Sequence, residues 1–247
     1  ERVGAVEMFE LTDRHGSTRF VDTPHSRRYV TPGQYAVADL VDDADALRAR
    51  IDPSNEYTKA QAKAMARKKD AVFYAAAIGT AKTGKTGTGT QALTQVDSTT
   101  QAASMSLINK DRRIFQDADV DLDMEVPHWA VHPSFFEDLL NEVVGGTPAH
   151  ADHFTVRQLQ SGEITSGWGY EWHTQATNKF DVTDGTDRRT ISWLPSGMAF
   201  AFNEEAFTKM TERADLNYSW QVYCRFMGGA VRLEEEKVHA TDVTPNT

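Results

Sequence analysis

The sequence predicts an α+β fold in which an extended N-terminal hairpin precedes one long helix and a mixed set of helices and strands. Three observations lead to this prediction. A polar, strand-like segment occupies residues 6–30, an alanine-rich stretch runs to Ile78, and helix and strand patterns alternate after residue 100. With 247 residues, 40% of them hydrophobic, the chain can bury a core in one large domain or two smaller ones.

Composition excludes several classes of protein. Lys and Arg number 26 against 36 Asp and Glu, a formal net charge of −10. A surface with that balance repels phosphate, so sequence-specific binding to nucleic acid is not expected. The single cysteine, Cys224, excludes an internal disulfide and a multi-cysteine zinc site. Without a membrane-span or signal-peptide pattern, we expect a soluble intracellular protein with no membrane partner.

Residues 6–30 predict two strands around the turn Asp13-Arg14-His15-Gly16, where glycine can adopt the positive φ of a tight turn. Few apolar residues line this hairpin. Because an isolated two-stranded ribbon is only marginally stable in water, we expect the hairpin to project and to lean on another structure. A surface loop without fixed structure is the alternative.

A long helix is predicted between Asp52, a capping residue type, and Gly79, which ends the stretch. Pro53 suits its first position. At about 1.5 Å per residue the helix is roughly 40 Å long. The apolar residues at spacings of three, four and seven predict one buried stripe, formed by Tyr57, Ala60, Ala64, Ala71, Ala75 and Ile78.

Residues 79–100 are rich in Gly and Thr and are predicted to be a connection rather than an element. Helices are predicted near 101–116 and 134–144, and strands within 127–133 and near 168–173 and 189–202. The stretch 217–243 predicts a strand as far as Gly228-Gly229, followed by an extended, partly exposed strand.

Residues 79–86 match the G-x-x-x-x-G-K-[ST] pattern of a phosphate-binding loop, with Lys85 and Thr86 at its end. Such a loop follows a buried strand and opens a helix whose amides point at the phosphate. Here a predicted helix precedes the motif and no helix pattern follows it. We therefore interpret the match as a Gly/Thr loop that arises by chance.

Other motifs also lack the partners that their chemistry needs. The acidic run 117–123 has Leu122 where a calcium loop needs Gly, and His128 with His132 lacks the intervening Glu of a helical zinc site. The aromatic residues Trp168, Tyr170 and Trp172 alternate as on one strand face, which favours packing over a stacking platform for a ligand. We predict no catalytic, cofactor-binding or metal-binding residue.

Five segments in this order resemble one family, the tailed-phage major capsid proteins with the Johnson fold. They are RHGSTRFVDTPHSRRYVTPGQYAVADLVDD, LRARIDPSNEYTKAQAKAMARKKDAVFYAAAIGTAKTG, HWAVHPSFFEDLLNE, RQLQSGEI and SWQVYCRFMGGAVRLEEEKV. Residues 234–237 also match the acidic run near the family's C-terminus. The family usually carries an N-terminal arm, which has no counterpart among residues 1–247.

The resemblance implies a division of the chain. Residues 1–40 would be an N-terminal segment and an extended β-hairpin loop that reaches across a neighbouring subunit. Residues 41–98 would begin the peripheral domain, with the long spine helix and the Gly/Thr loop, and residues 99–204 would form the axial domain. Residues 205–247 would return as C-terminal strands of the peripheral domain.

The resemblance also implies a function, that of a major capsid protein without enzymatic activity or cofactor. Copies would assemble into hexamers and pentamers of an icosahedral shell around the phage double-stranded DNA. Implied partners are other copies, a portal, scaffolding or decoration proteins, and DNA packaged without sequence-specific contacts. The location would be the virion capsid, after assembly in the host bacterial cytoplasm. Two alternatives are a cellular nanocompartment shell with the same fold and a P-loop nucleotidase.

Residues at the hairpin are the ones we expect at the subunit interface, since charged side chains there can pair with a neighbouring copy. These expected interface residues are Asp13, Arg14, His15, Arg19, Arg27 and Arg28.

Overall fold

The computed structural model describes residues 2–4, 6, 8–10, 20–41, 53–145, 166–183 and 185–245. The helices in these ranges are α1 (Pro53–Ile78), α2 (Met105–Asp117) and α3 (Pro133–Gly145). The strands are β1 (Arg2–Val3), β2 (His25–Ser26), β3 (Arg28–Tyr29), β4 (Gly33–Val41), β5 (Ala81–Thr83), β6 (Gly89–Gln91), β7 (Val96–Gln101), β8 (His128–Val131), β9 (Ser166–Gly167), β10 (Tyr170–Thr174), β11 (Arg188–Trp193), β12 (Met198–Arg213), β13 (Ser219–Arg232) and β14 (Val238–Val243). The predicted α+β class is confirmed.

A mixed six-stranded sheet with the order β7-β14-β11-β8-β10-β9 forms the centre of the molecule. Its β14–β7 and β8–β10 pairs are parallel, and its other pairs are antiparallel. An antiparallel sheet β12-β13-β4 and a small sheet β3-β5-β6 lie beside it, and β1 pairs with β2. None of the helices within the described ranges is long and apolar enough to cross a membrane.

The two faces of the central sheet pack against different helices. Trp129 and Val131 of β8 lie in a core cluster with residues of α2 and α3, whereas the intervening Ala130 lies in a second cluster with Tyr74 and Ala77 of α1. This follows from the two-residue period of a strand, which sends successive side chains to opposite faces. Both faces of the sheet are therefore covered.

Helix α1 has the predicted bounds but a different buried face. Tyr74 and Ala77 are buried, whereas Ala71 and Ala75 of the predicted stripe are exposed. The hydroxyl of Tyr74 donates to the Arg189 carbonyl and accepts from the backbone N–H of Asp181 at 3.1 Å. A tyrosine buries far more area than an alanine, so it decides which face of the helix turns inward.

Several segments differ from their predicted form. Within 79–100, which we predicted to be a connection, β5 and β6 form a hairpin whose first strand also pairs with β3, and β7 begins at Val96. The strand predicted near 189–202 is divided into β11 and β12. Strand β14, predicted to be partly exposed, is buried at all six residues. It lies between β7 and β11 with both faces covered, the position in a sheet that leaves a strand least exposed to solvent.

Polar residues of β14 are buried because they have partners on neighbouring elements. Arg189 of β11 donates two hydrogen bonds to Asp242, of 2.8 and 2.9 Å, and it is the direct cross-strand neighbour of Asp242. His239 contacts the buried carboxylate of Asp111 in α2, which also accepts 2.7 Å hydrogen bonds from Tyr170 and Ser192. Asp111 thus ties α2 to three strands of the sheet. Burial and this carboxylate raise the pKa of Tyr170.

The aromatic residues after α3 pack inside the chain, which confirms the packing interpretation. Tyr170 and Trp172 are buried on the face of β10 that meets α2 and α3. Trp168 does not belong to the strand. It lies in the preceding turn with φ 53°, and its ring meets that of Trp172 edge-on, with 6.2 Å between the ring centroids.

Candidate interaction surfaces

The N-terminal segment has an ordered base and exposed apolar side chains. β1 pairs with β2 through Arg2↔Ser26 and Val3↔His25, and the Gly4 N–H donates to the Pro24 carbonyl at 2.8 Å. Beyond this base, the side chains of residues 8–10 and 20–21 are exposed, and Met8 and Phe20 are 99% and 93% exposed. Large apolar side chains at such exposure on one segment are typical of an interaction surface.

Four of the expected interface residues, Asp13, Arg14, His15 and Arg19, lie outside the described residues. Arg27 is exposed, and its carbonyl accepts a 3.0 Å hydrogen bond from Gly84 N–H. The Arg28 side chain is only 8% exposed and is held inside the chain. The role of the six residues at a subunit interface stays a prediction. In the structure, Arg28 also makes contacts within its own chain.

Arg28 connects the base of the N-terminal segment to the segment after β13. Its Nη2 donates to Glu235 Oε1 at 3.0 Å, and its Nε donates to the Leu233 carbonyl at 3.0 Å. The other oxygen of the Glu235 carboxylate accepts from Arg232 Nε. Glu235 therefore bridges two arginines, one from β3 and one from the end of β13.

Arg232 in turn closes the C-terminal end of α1. Its guanidinium has no solvent exposure and donates to the carbonyls of Ala77, Gly79 and Gln91, the last two at 2.9 and 3.1 Å. A cation at this position satisfies carbonyls that a helix end leaves unpaired and complements the helix dipole. Burial raises the pKa of Glu235, and the two guanidinium groups oppose that shift.

A long antiparallel ribbon provides a second surface. β12 pairs with β13 over thirteen positions and has no strand on its other side, so it is an edge strand within the described part of the chain. Most of its residues from Phe202 onward are exposed, including the side chains of Phe207 and Met210. An exposed strand edge with apolar side chains can add a strand or a side-chain surface from another chain.

The geometry of the phosphate-loop match agrees with the interpretation as chance. Helix α1 ends just before Gly79, and Lys85 lies in the turn between β5 and β6. Gly84 and Gly87 take the positive φ values, 84° and 70°, that this turn requires. No helix N-terminus follows Lys85, so the amides that would hold a phosphate are not assembled there.

Sequence reasoning missed one group of potential metal ligands. His128, Glu171 and His173 place three ligand atoms within 4.8 Å of one another, and they are the one such group among the described residues. The sequence spacing pairs His128 only with His132, which is buried and has its pKa lowered to about 4 by burial and by Arg188. Because β8 and β10 are about 45 residues apart in the chain, only their parallel pairing brings the three residues together.

A model of the phage capsid protein family matches residues 1–244. No curated protein matches the chain. Solved structures are similar at low identity. The capsid of the cyanophage P-SCSP1u has 12% identity and a TM-score of 0.65, over 99% of this chain and 82% of that chain. The mature capsid of bacteriophage PhiM1 has 12% identity and a TM-score of 0.63, over 100% and 81%.

The capsid of cyanophage Pam1 has 11% identity and a TM-score of 0.63, over 99% of this chain and 82% of that chain. At such identities these structures establish a shared fold, the capsid fold that the resemblance implies. The family model extends over almost the whole length, including all three of the described helices and the central sheet. The chain belongs to the phage capsid protein family.

Proposed function

We propose that copies of this major capsid protein associate as hexamers and pentamers of an icosahedral shell that encloses double-stranded DNA. The observation that carries the proposal is the near-complete exposure of Met8 and Phe20 on a segment whose described residues belong to neither core cluster. Leaving such side chains in water forgoes about 2 kcal/mol each relative to burial. A neighbouring subunit that covers them recovers this free energy at every copy in the shell.

The N-terminal segment is the proposed intersubunit loop. Arg28 fixes its base through Glu235, so the segment leaves the domain from a defined point. Beyond the base, Asp13, Arg14, His15 and Arg19 would pair with charged groups of the neighbour, and exposed Arg27 would add a contact close to the base. Individually weak contacts suit reversible assembly because misplaced subunits can dissociate.

The proposed domains follow the expected boundaries. Residues 41–98 and 205–247 supply the peripheral domain, which α1 crosses as its spine, and residues 99–204 supply the axial domain. Strand β14 joins the two, because it comes from the C-terminal part and pairs with β11 and β7. This shared strand supports a subunit in which the two domains move little relative to each other.

The proposed partners are other copies of the chain, a portal, and scaffolding or decoration proteins. The net charge of −10 supports DNA packaged without sequence-specific contacts, since a basic wall would bind the genome tightly. We propose assembly in the host bacterial cytoplasm and no enzymatic activity. The position of Lys85 in a turn between two strands argues against the alternative of a P-loop nucleotidase.

Electron microscopy of the purified, concentrated protein tests the function directly, and closed shells or capsomer rings are expected. Phe20→Ser tests whether the exposed apolar side chains of the N-terminal segment contribute to assembly. Val182→Ser is the matched control, because Val182 is an exposed apolar residue outside that segment. We expect Phe20→Ser to lower shell yield several-fold and Val182→Ser to keep the parental yield. Shells from Phe20→Ser at parental yield, with both variants folded by circular dichroism, would contradict the proposal.

A further inference from the structure

A polar cluster lies on the face of the central sheet that is turned toward α1. His128 Nδ1 lies 2.9 Å from His173 Nε2 and 3.3 Å from Glu171 Oε2. His128 and Glu171 are direct neighbours in the β8–β10 register, and His173 follows two positions later on the same face of β10. The strand pairing therefore brings three ligand atoms within 4.8 Å of one another.

These atoms are of the kinds that zinc and related ions prefer, two imidazole nitrogens and one carboxylate oxygen. In tetrahedral coordination with bonds of about 2.0–2.1 Å, ligand atoms lie roughly 3.3 Å apart. Two of the three separations, 2.9 and 3.3 Å, are close to this value, and the third pair of ligand atoms lies within 4.8 Å. Side-chain rotations that shorten the third separation would place all three atoms around one ion.

The cluster has a rigid support. The indole of Trp193, on the neighbouring strand β11, stacks against both imidazoles, with ring centroids 5.6 Å apart and interplanar angles of 17° and 21°. The ligands come from paired strands rather than loops, and sites on such elements are held more accurately. Glu171 and His173 are exposed, so a fourth coordination position is open to water.

We propose that His128, Glu171 and His173 form a binding site for one divalent transition-metal ion of the zinc class, with a water molecule as the fourth ligand. Of the three ligands, His173 also lines a cleft of about 520 Å³ between α1 and the sheet, together with Asp70, Phe73 and Trp193 among others. An ion there cross-links β8 to β10 within one subunit.

Titration of untagged protein that has been treated with EDTA and dialysed tests the site, both as free subunits and as assembled particles. Calorimetry with Zn²⁺ measures stoichiometry and affinity, and visible absorption with Co²⁺ reports the coordination geometry. We expect one ion per subunit with a Kd at or below roughly 10 µM, and a cobalt spectrum typical of four-coordination. Saturable binding in neither form of the protein would overturn the proposal.

Variants identify the ligands. His173→Gln and Glu171→Gln should each weaken binding at least tenfold, whereas His25→Gln, a change at an exposed histidine on β2, should leave it unaltered. Circular dichroism of each variant shows whether it is folded. Glu171 is half-exposed, so its variant keeps the test valid if a histidine variant misfolds. Wild-type affinity in folded His173→Gln and Glu171→Gln proteins would overturn the assignment.

Discussion

Arg28 Nη2 donates to Glu235 Oε1 at 3.0 Å, and both side chains are only 8% exposed. The two residues are 207 positions apart in the chain. Their pairing fixes the base of the N-terminal segment against the turn between β13 and β14. Glu235 also accepts a hydrogen bond from Arg232, which closes the end of α1. One carboxylate therefore connects the base of the N-terminal segment, the end of β13 and, through Arg232, the end of α1.

Glu235→Gln should destabilise the subunit by about 3 kcal/mol, because it leaves the buried guanidinium of Arg232 without its counter-charge. Glu234→Gln is the matched control. Glu234 pairs with Lys237 at 3.3 Å near the surface, and its loss should cost less than about 1 kcal/mol. Chemical denaturation of the unassembled subunit measures both values. Equal, small effects would mean that the buried network contributes little to stability.

Ala77→Asp should prevent normal folding, because Ala77 has no solvent exposure and lies against the central sheet. An unpaired carboxylate there costs several kcal/mol, which is a large part of the free energy of unfolding of a typical domain. Ala71→Asp makes the same change on the exposed face of α1 and should yield soluble, folded protein. Soluble expression and thermal unfolding compare the two. If Ala71→Asp were the less stable variant, the buried face of α1 would be the one that the sequence predicted.

The contribution of Asp97 should depend on pH. Burial raises its pKa, but hydrogen bonds from Lys110, Thr99 and Gln101 together lower it to about 2. A carboxyl whose folded-state pKa is below its unfolded value stabilises the protein above the unfolded pKa, near 4, and loses this contribution as pH falls toward 2. Lys110 is partly exposed, so solvent screening limits the contribution to about 1 kcal/mol.

Asp97→Asn should therefore lower the free energy of unfolding near neutral pH, and its difference from the wild type should shrink below about pH 4. Denaturant titrations across this range measure the difference. Asp22→Asn, at an exposed aspartate, is the control and should show no such trend. A difference that is constant with pH would show that the hydrogen bonds of Asp97 do not depend on its charge.

Lys85→Ala should leave solubility and assembly unchanged, because Lys85 is exposed in the turn between β5 and β6. Gly84→Val, one position earlier, should be less stable by about 1 kcal/mol or more, since Gly84 has φ 84°. Thermal unfolding and particle yield compare the two variants. An ATP-hydrolysing activity lost in Lys85→Ala would instead revive the phosphate-binding interpretation.

Deletion of residues 12–18 should give a folded subunit that fails to form stable shells. The segment contains no large apolar residue, so we expect folding not to require it, whereas the contacts proposed for it with neighbours would be repeated in every capsomer. Circular dichroism and native mass spectrometry of the deletion and the parent chain measure folding and assembly. An unfolded deletion, or shells at parental yield, would show that this segment is not the intersubunit loop.

Local patterns were sufficient for the helices and for the strands β8, β10, β11, β13 and β14, but not for β4 to β7 or most of β12. Helix α1 begins at Pro53, a residue that suits the first position of a helix. It ends before Gly79, where a Cβ atom would lie 2.6 Å from the Ala75 carbonyl oxygen. The hairpin β5–β6 was not predicted, since its residues have little strand propensity and are held by pairing with β3. The site residues at the tip of the N-terminal segment stay predictions, and the three potential metal ligands were missed.

The sequence by itself determined the α+β class, the limits of the long helix and the resemblance to phage capsid proteins, because periodicity, caps and motif order are local properties. Tertiary structure decided which groups are buried. Ala71 and Ala77 have the same chemistry, yet only Ala77 meets the sheet. From its residue type, Asp242 is expected at the surface, but it is buried because it forms an ion pair with Arg189 across the β11–β14 pair. Burial depends on partners that are distant in sequence, so no local pattern specifies it.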